Sequence, residues 1–241
     1  MNAPAHDNPN KPQTEASDRK PGLLERSISD LMRRVYRHAA STVDMVERAI
    51  DALWTLDRDA AAALRRDDDR IDAEEMAIQH ECYRILALNN PVARDFRAIT
   101  YVLRVNHNVE RVADHACSLA KIINAIEDEH APQWPTALVD LGQRVPILCH
   151  DLLRTMLDGD VDAARDIIAN DKTIDTLNHR LFGETVELMH REPSSSANGL
   201  LIFRAGRELE RVGDLMTDIA REIVYLETGT VIRHQRLSDP Q

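Results

Sequence analysis

The sequence predicts an all-α protein built as two tandem three-helix bundles, with six long helices in all. Three observations support this fold class. Only 8 of the 241 residues are glycine and only 4% are aromatic, a composition that favours helix over strand. Apolar residues recur at the spacing of one helix face along most of the chain. The second half of the chain also repeats the motifs of the first half.

Three helices are expected in the first half. They are predicted over residues 24–56, 59–88 and 92–126. The first has an apolar face that includes Ile28, Val35 and Val46, which marks it as a long amphipathic helix. The second ends before Pro91, because proline disfavours helical geometry in the residue that precedes it.

Three more helices are expected after a linker that contains Pro132 and Pro135. They are predicted over residues 136–158, 160–191 and 196–227. Gly142 and Pro146 fall inside the first of these. We expect a kink or a break there, because proline removes one helical hydrogen bond and crowds the preceding turn.

The predicted domain organisation follows from these helices and from the polar ends of the chain. Residues 1–21 are polar and rich in proline, which predicts a disordered tail. Residues 22–128 form the first predicted repeat and residues 129–230 the second, and residues 231–241 are predicted to be a flexible C terminus.

The internal repeat is visible in short matching segments. Asp57-Arg-Asp-Ala aligns with Asp160-Val-Asp-Ala, Asp68-x-x-Ile71-Asp72 with Asp171-x-x-Ile174-Asp175, and Glu110-Arg-Val-Ala-Asp114 with Glu210-Arg-Val-Gly-Asp214. The first two matches need no gap between them. A repeat of about a hundred residues is too long for a solenoid, so the duplication predicts two similar bundles packed side by side.

Charge and composition exclude several classes of function. The net charge of −11 argues against nucleic acid or anionic lipid as the main partner. The N-terminal residues lack the pattern of a signal peptide, and no apolar run approaches the roughly 20 residues that span a bilayer. We therefore expect a cytoplasmic protein without direct membrane insertion. Cys82, Cys117 and Cys149 are expected to be reduced thiols in the core.

The duplicated segments place pairs of acidic residues four positions apart. The pairs are Asp68/Asp72, Glu110/Asp114, Asp171/Asp175 and Glu210/Asp214. The members of each pair share one helix face, where like charges cost a helix roughly 0.2–0.5 kcal/mol per pair. Four such pairs at equivalent positions therefore require a compensating interaction.

Two compensating interactions are possible for these acids. The first is neutralisation by basic neighbours on a solvated face, and the candidates are Arg70, Arg111, Lys172 and Arg211. The second is a cation held jointly by pairs from the second and third helices of one bundle. Carboxylate oxygens suit magnesium, calcium, manganese or iron better than a structural zinc site.

Other polar residues beside the acidic motifs carry a weaker signal. A lone histidine on a helix is usually a surface or packing residue, so neither His107 nor His115 is expected to be a ligand. Arg104 and Arg204 occupy corresponding positions in the two halves and are expected to form salt bridges on the helix surface, with docking of a partner as the second possibility.

The acidic motifs and two flanking segments resemble the PhoU family of phosphate-uptake regulators. The segments are Leu86-Ala-Leu-Asn-Asn-Pro-Val-Ala-Arg-Asp-Phe-Arg97, Glu110-Arg-Val-Ala-Asp-His115, and Glu210-Arg-Val-Gly-Asp214 followed by Tyr225-Leu-Glu-Thr-Gly229. The resemblance covers residues 24–229. It implies a cytoplasmic, non-enzymatic and usually dimeric protein with two three-helix bundles.

The resemblance also implies a function. Such a protein would be a negative regulator of phosphate uptake and of phosphate-starvation signalling. It would act as an adaptor between the ATPase subunit of the phosphate ABC transporter and the phosphate-sensing histidine kinase.

Some members of the family carry multinuclear iron or zinc clusters on the acidic motif. Carried over to this sequence, the metal ligands would be Asp68, Asp72, Glu110, Asp114, Asp171, Asp175, Glu210 and Asp214. The two halves differ at one neighbouring position. Glu75 could add an acidic ligand in the first half, whereas the second half has Asn178 at the equivalent position.

Two alternative functions are compatible with a helical acidic protein. A ferritin-like or di-iron carboxylate protein requires Glu-x-x-His on each of two core helices. Here that pattern occurs only at Glu127/His130, in the linker, and at Glu187/His190, at a helix end. The other alternative is a helical adaptor that performs the same regulation without metal. The sequence has no nucleophile elbow and no glycine-rich phosphate loop, which disfavours an enzyme.

Overall fold

The structure, a computed structural model, describes residues 22–127, 131–192 and 196–232, with Asp171 described only in its backbone. These residues form seven α-helices and no strand. The helices are α1 (Leu23–Thr55), α2 (Arg58–Asn89), α3 (Ala93–Ala125), α4 (Thr136–Asp158), α5 (Val161–Ala169), α6 (Asp171–Arg191) and α7 (Ser196–Thr228). The predicted tail 1–21 and residues 233–241 of the predicted flexible C terminus lie outside the described residues.

The all-α prediction with two three-helix repeats is confirmed. Helices at equivalent places in the two repeats also begin and end with similar local geometry. Asp57 caps α2 by accepting a hydrogen bond from the backbone N–H of Ala60 at 2.9 Å, and Asp160 caps α5 with its own carboxylate. The residues that follow α1 and α4, Leu56 and Gly159, both adopt left-handed backbone geometry. The duplication therefore extends to the shape of the helix ends.

The helix predicted over residues 160–191 is interrupted at Asn170, which separates α5 from α6. The backbone N–H of Asn170 bonds to the carbonyls of both Asp166 and Ile167, at 3.1 and 3.2 Å. Asparagine is a weak helix former because its side chain competes for backbone hydrogen bonds. One predicted long helix is thus two segments, and α5 and α6 together take the place that α2 has in the first bundle.

The break that Gly142 and Pro146 suggested does not occur, because α4 is continuous from Thr136 to Asp158. Gly142 instead allows a close approach of α1. A Cβ atom at this position would lie 2.3 Å from the indole ring of Trp54. The glycine is therefore required by packing against α1.

The central contact of the molecule is made by α3 and α7. Arg104 on α3 donates to both carboxylate oxygens of Glu222 on α7, at 3.0 and 3.1 Å. Further along α3, Nδ1 of His115 lies 2.7 Å from Oε2 of Glu208. Since the α7 partner moves back along the chain as the α3 residue moves forward, the two helices are antiparallel.

A second contact between the halves joins α1 and α4. Oε1 of Glu47 lies 2.7 Å from Nε2 of His150. These two residues occupy equivalent positions when the halves are aligned through Asp57 and Asp160. When two aligned residues of the two halves contact each other, the contact lies on an approximate two-fold axis. Such an axis therefore relates the two bundles.

No helix in the described ranges is long and apolar enough to cross a membrane. Cys82, Cys117 and Cys149 are free and buried, and burial raises the pKa of each thiol to about 12. The three thiols are therefore protonated and unreactive at neutral pH.

Candidate metal centre

The acidic residues of the first bundle face one another across α2 and α3. The thiol of Cys117 on α3 donates to the carbonyl of Leu64 at 3.9 Å and lies close to Asp68 on α2, which is within electrostatic range of Asp72 and Asp114. Glu110 on α3 interacts with Asp114 and with Asp72. The two predicted pairs of the first half therefore lie within electrostatic range of one another.

The environment of these carboxylates disfavours their charged forms. Burial raises the pKa of Asp68, and the neighbouring Asp72 and Asp114 raise it further, while the thiol of Cys117 and the ammonium of Lys121 oppose the shift.

Glu110 shows the same behaviour. Burial raises its pKa first, and Asp114, Asp72 and Glu75 raise it further, against the opposing effect of His107. Both carboxylates would gain from a positive charge placed between the helices.

In the second bundle, two residues of the acidic motif are paired with arginines. Oε2 of Glu210 lies 2.5 Å from Nη1 of Arg207, and Oδ2 of Asp214 lies 3.1 Å from Nη1 of Arg211. Asp175 is also engaged in an interaction, and the side chain of Asp171 lies outside the described atoms. A cation at this face would have to displace two arginines.

Part of the difference between the halves comes from one aligned position. Arg207 of the second half corresponds to His107 of the first, whose Nδ1 lies 3.8 Å from Oε2 of Glu110. A histidine at this distance is a weaker and pH-dependent counterion. Neutralisation by arginine therefore describes the second half. In the described part of the first half Arg70 pairs with Asp67, at 3.8 Å, and not with the acidic motif.

The donor set of the first bundle fits a hard divalent cation in its chemistry, because it consists of carboxylates on two facing helices. In the described side chains, however, no group of three or more histidine, cysteine, aspartate or glutamate residues is close enough to hold a metal ion. Metal binding would therefore require these carboxylates to rotate toward one another. The ligand assignments in both halves stay predictions.

Some contacts of this region were not predicted from the sequence. Cys117 was predicted only as a core thiol, although its position three residues after Asp114 places it on the same face of α3. His115 was predicted not to be a ligand, and in the structure it joins the two halves through Glu208. The expected salt bridges of Arg104 and Arg204 are present, to Glu222 at 3.0 Å and to Glu208 at 3.7 Å.

The raised pKa of Glu110 predicts a pH-dependent cost to stability. The E110Q variant should have a higher thermal midpoint than the wild type at pH 7, because glutamine carries no charge to be penalised by burial and by the neighbouring acids. This advantage should vanish below the ordinary glutamate pKa of 4.5, where the carboxyl is neutral in both folded and unfolded chains, and should grow as the pH rises through the raised value. Thermal unfolding between pH 4 and 8 measures it.

The matched control is Glu210, the aligned residue of the second half. E210Q should lower the midpoint at pH 7, because it weakens the ion pair with Arg207. Equal effects of the two substitutions would contradict the asymmetry between the halves.

Comparison with known proteins agrees with this architecture. The family model described as the PhoU domain matches the chain twice, at residues 35–123 and 138–223. The chain belongs to the PhoU family. The two matches fall on the α1–α3 and α4–α7 bundles, so the duplicated unit of the sequence corresponds to the PhoU domain.

Curated relatives of the PhoU family match most of the chain. A protein of Deinococcus radiodurans named phosphate-specific transport system accessory protein PhoU homolog is 30% identical over 83% of this chain and 95% of its own length. A Pseudomonas aeruginosa protein of the same name is 33% identical over 78% of each chain. The chain is thus similar to phosphate transport accessory proteins over most of their length.

Solved PhoU structures show the same fold. The phosphate transport system regulatory protein PhoU from Streptococcus pneumoniae has a TM-score of 0.81 at 25% identity, over 88% of this chain and all of that chain. PhoU from Pseudomonas aeruginosa has a TM-score of 0.82 at 29% identity, over 86% of this chain. The ferritin-like alternative is not favoured by these matches.

Proposed function

We propose that this PhoU-family chain is a cytoplasmic negative regulator of phosphate uptake and of phosphate-starvation signalling. In this role it is an adaptor between the ATPase subunit of the phosphate ABC transporter and the phosphate-sensing histidine kinase. The observation that carries the proposal is the match of two PhoU domains to most of the chain, together with relatives named as phosphate transport accessory and regulatory proteins. The long helical surfaces suit protein contacts.

Deletion of the gene tests the regulatory role. We expect phosphate-starvation genes to be expressed in phosphate-rich medium in the deletion strain, because the negative regulator is missing. Transcript levels of the transporter genes in rich and in phosphate-limited medium measure this, with a strain that carries a restored copy as control. Correct repression in the deletion strain would contradict the proposal.

The adaptor role has a direct biochemical test. The purified chain should bind the purified transporter ATPase and the cytoplasmic part of the kinase, and biolayer interferometry at high and low phosphate measures both affinities. Sedimentation of the chain alone tests the homodimer that membership of the family leads us to propose.

We further propose that Asp68, Asp72, Glu110 and Asp114 hold a divalent cation, which would offset the burial and the repulsion that raise the pKa values of Asp68 and Glu110. Iron, zinc, manganese and magnesium are the candidates. We also propose that the second set, Asp171, Asp175, Glu210 and Asp214, binds more weakly, because Arg207 and Arg211 already compensate two of its members.

Thermal shift with each metal tests this proposal. At a metal concentration about 100 times the Kd, binding should stabilise the fold by about 2.7 kcal/mol, which corresponds to about 5–10 °C in a chain of this size. The shift should disappear in E110Q/D114N and persist in E210Q/D214N. Metal analysis of untagged protein provides a second readout. Absence of metal and of a shift in the wild type would support the alternative of a metal-free adaptor.

A further inference from the structure

A polar cluster lies in the core of the first bundle. His38, Thr42 and Asn106 are only 3%, 1% and 1% exposed. In the described ranges, Nε2 of His38, Oγ1 of Thr42 and Oδ1 of Asn106 are buried without a hydrogen-bond partner, although Nδ2 of Asn106 donates to the carbonyl of Glu75 at 2.9 Å. Buried polar atoms without partners oppose folding, so their presence in the core requires an explanation.

The second bundle has an apolar cluster at the same place. In the alignment of the halves, the three polar residues correspond to Leu141, Val145 and Gly206. Leu141 and Val145 are fully buried, and a Cβ atom at Gly206 would lie 3.6 Å from Cδ1 of Leu141. The positions that His38 and Asn106 occupy in the first bundle are therefore neighbours in the second. Since the second bundle packs this place without polar residues, the fold itself does not require them.

The surroundings of His38 hold its imidazole in the neutral form. Burial lowers its pKa from the ordinary 6.5 to about 4, while Glu74 of α2 raises it and Arg34 of α1 lowers it further. Among the described residues these two are the charged groups that act on it, and Asn106 of α3 is neutral. Glu74 is not a free counterion, because its two oxygens accept from Arg34 at 2.5 and 2.8 Å. An imidazolium would therefore lack both water and an available carboxylate.

His38 also borders an open groove between α1 and α2. The volume of the groove is about 940 Å³. Its charged lining residues are Arg37, Asp44, Arg48, Asp67, Arg70 and Glu74. Arg48 of α1 pairs with Asp67 of α2 at 2.8 Å, so the two helices are held together by ion pairs at the surface as well as by the core. Because the groove is open to solvent, a small separation of α1 and α2 brings water to the imidazole.

We propose that His38 makes the first bundle sensitive to acid, because its protonation separates α1 from α2 along this groove while the second bundle stays packed. The sign of the effect follows from the two states of the imidazole. An exposed histidine takes up a proton near pH 6.5 and the buried His38 only near pH 4. The closed form therefore loses stability relative to the open form as the pH falls from 6.5 to 4, with no further loss below that range.

Hydrogen exchange measured by mass spectrometry at pH 7 and pH 5 tests the proposal, after correction for the intrinsic pH dependence of exchange. H38Q and H38L remove the titrating group, and H38L introduces the residue of the second bundle. The matched control is H80Q, because His80 is exposed on α2. Relative to H38Q, the wild type and H80Q should lose protection in α1 and α2 by about tenfold or more on acidification, with α4–α7 within about twofold.

Equal changes in the wild type, H38Q and H38L would overturn the proposal, and so would an equal loss of protection in both bundles of the wild type. NMR of the wild type gives a readout that depends on no variant. The His38 resonances should keep the chemical shifts of the neutral ring wherever α1 and α2 remain protected. Titration of His38 between pH 7 and pH 5 without loss of protection would show that the core accommodates the charge, and would also overturn the proposal.

Discussion

Replacement of Met216 by alanine should lower the free energy of unfolding by about 2–5 kcal/mol. Met216 is only 3% exposed on α7, and its side chain borders a residual void of about 10 Å³. The void is lined by residues of four helices, from both bundles: Ala39, Thr42, Val43, Val109, Val112, Leu152, Leu153, Met216 and Ile219. Because these helices are already packed against one another, they cannot collapse fully into the larger cavity.

The M216A variant also tests whether the two bundles unfold together. Fluorescence of Trp54 and Trp134 reports on the junction of α1 and α4, whereas far-UV circular dichroism reports on all helices. Both signals should show one transition at the same, lowered denaturant midpoint. The matched control is M76A, because Met76 is 66% exposed and its truncation should change stability by less than about 0.5 kcal/mol. Separate transitions for the two signals would contradict a shared core.

The helices were largely predictable from local patterns. The predicted range 136–158 coincides with α4, and α1 spans Leu23–Thr55 where the sequence indicated 24–56. Apolar periodicity and capping aspartates act within a few residues, so they can be recognised without knowledge of the tertiary structure. The interruption at Asn170 was missed because the apolar pattern continues on both of its sides. The role of Gly142 could not be recognised from local sequence, because the indole of Trp54 that packs against it comes from a distant part of the chain.

The sequence predicted which acidic residues share a helix face, but not which of them pair with arginines. The spacing of Glu110 and Asp114 on one helix face follows from helix geometry, and so does the equivalent spacing of Glu210 and Asp214. Whether a carboxylate meets an arginine depends on side-chain rotamers and on the packing of neighbouring helices. One signal was nevertheless available, because the alignment of the halves places His107 opposite Arg207.

The Gly206→Val substitution should destabilise the protein by about 1–3 kcal/mol through steric overlap between α6 and α7. A Cβ atom at Gly206 would lie 2.0 Å from Cδ2 of Leu181, and 3.6 Å from Cδ1 of Leu141. Leu181 is fully buried, so its side chain cannot rotate into solvent to avoid the added atoms. The same change at Gly183, which has nothing within 4 Å of its Cβ position, should alter stability by less than about 0.5 kcal/mol. Urea titration measures both variants.

A double variant shows whether the overlap with Leu181 is the cause. L181A alone should cost about 2–5 kcal/mol, because it leaves a cavity in the core. Combined with Gly206→Val, it should cost at least about 0.5 kcal/mol less than the sum of the two single changes, because the valine methyl groups occupy the vacated space. Additive losses would contradict a steric origin. The crossing at Gly206 lies one helical turn before Glu210, so a wider separation of α6 and α7 would also move the acidic motif of the second half away from α6.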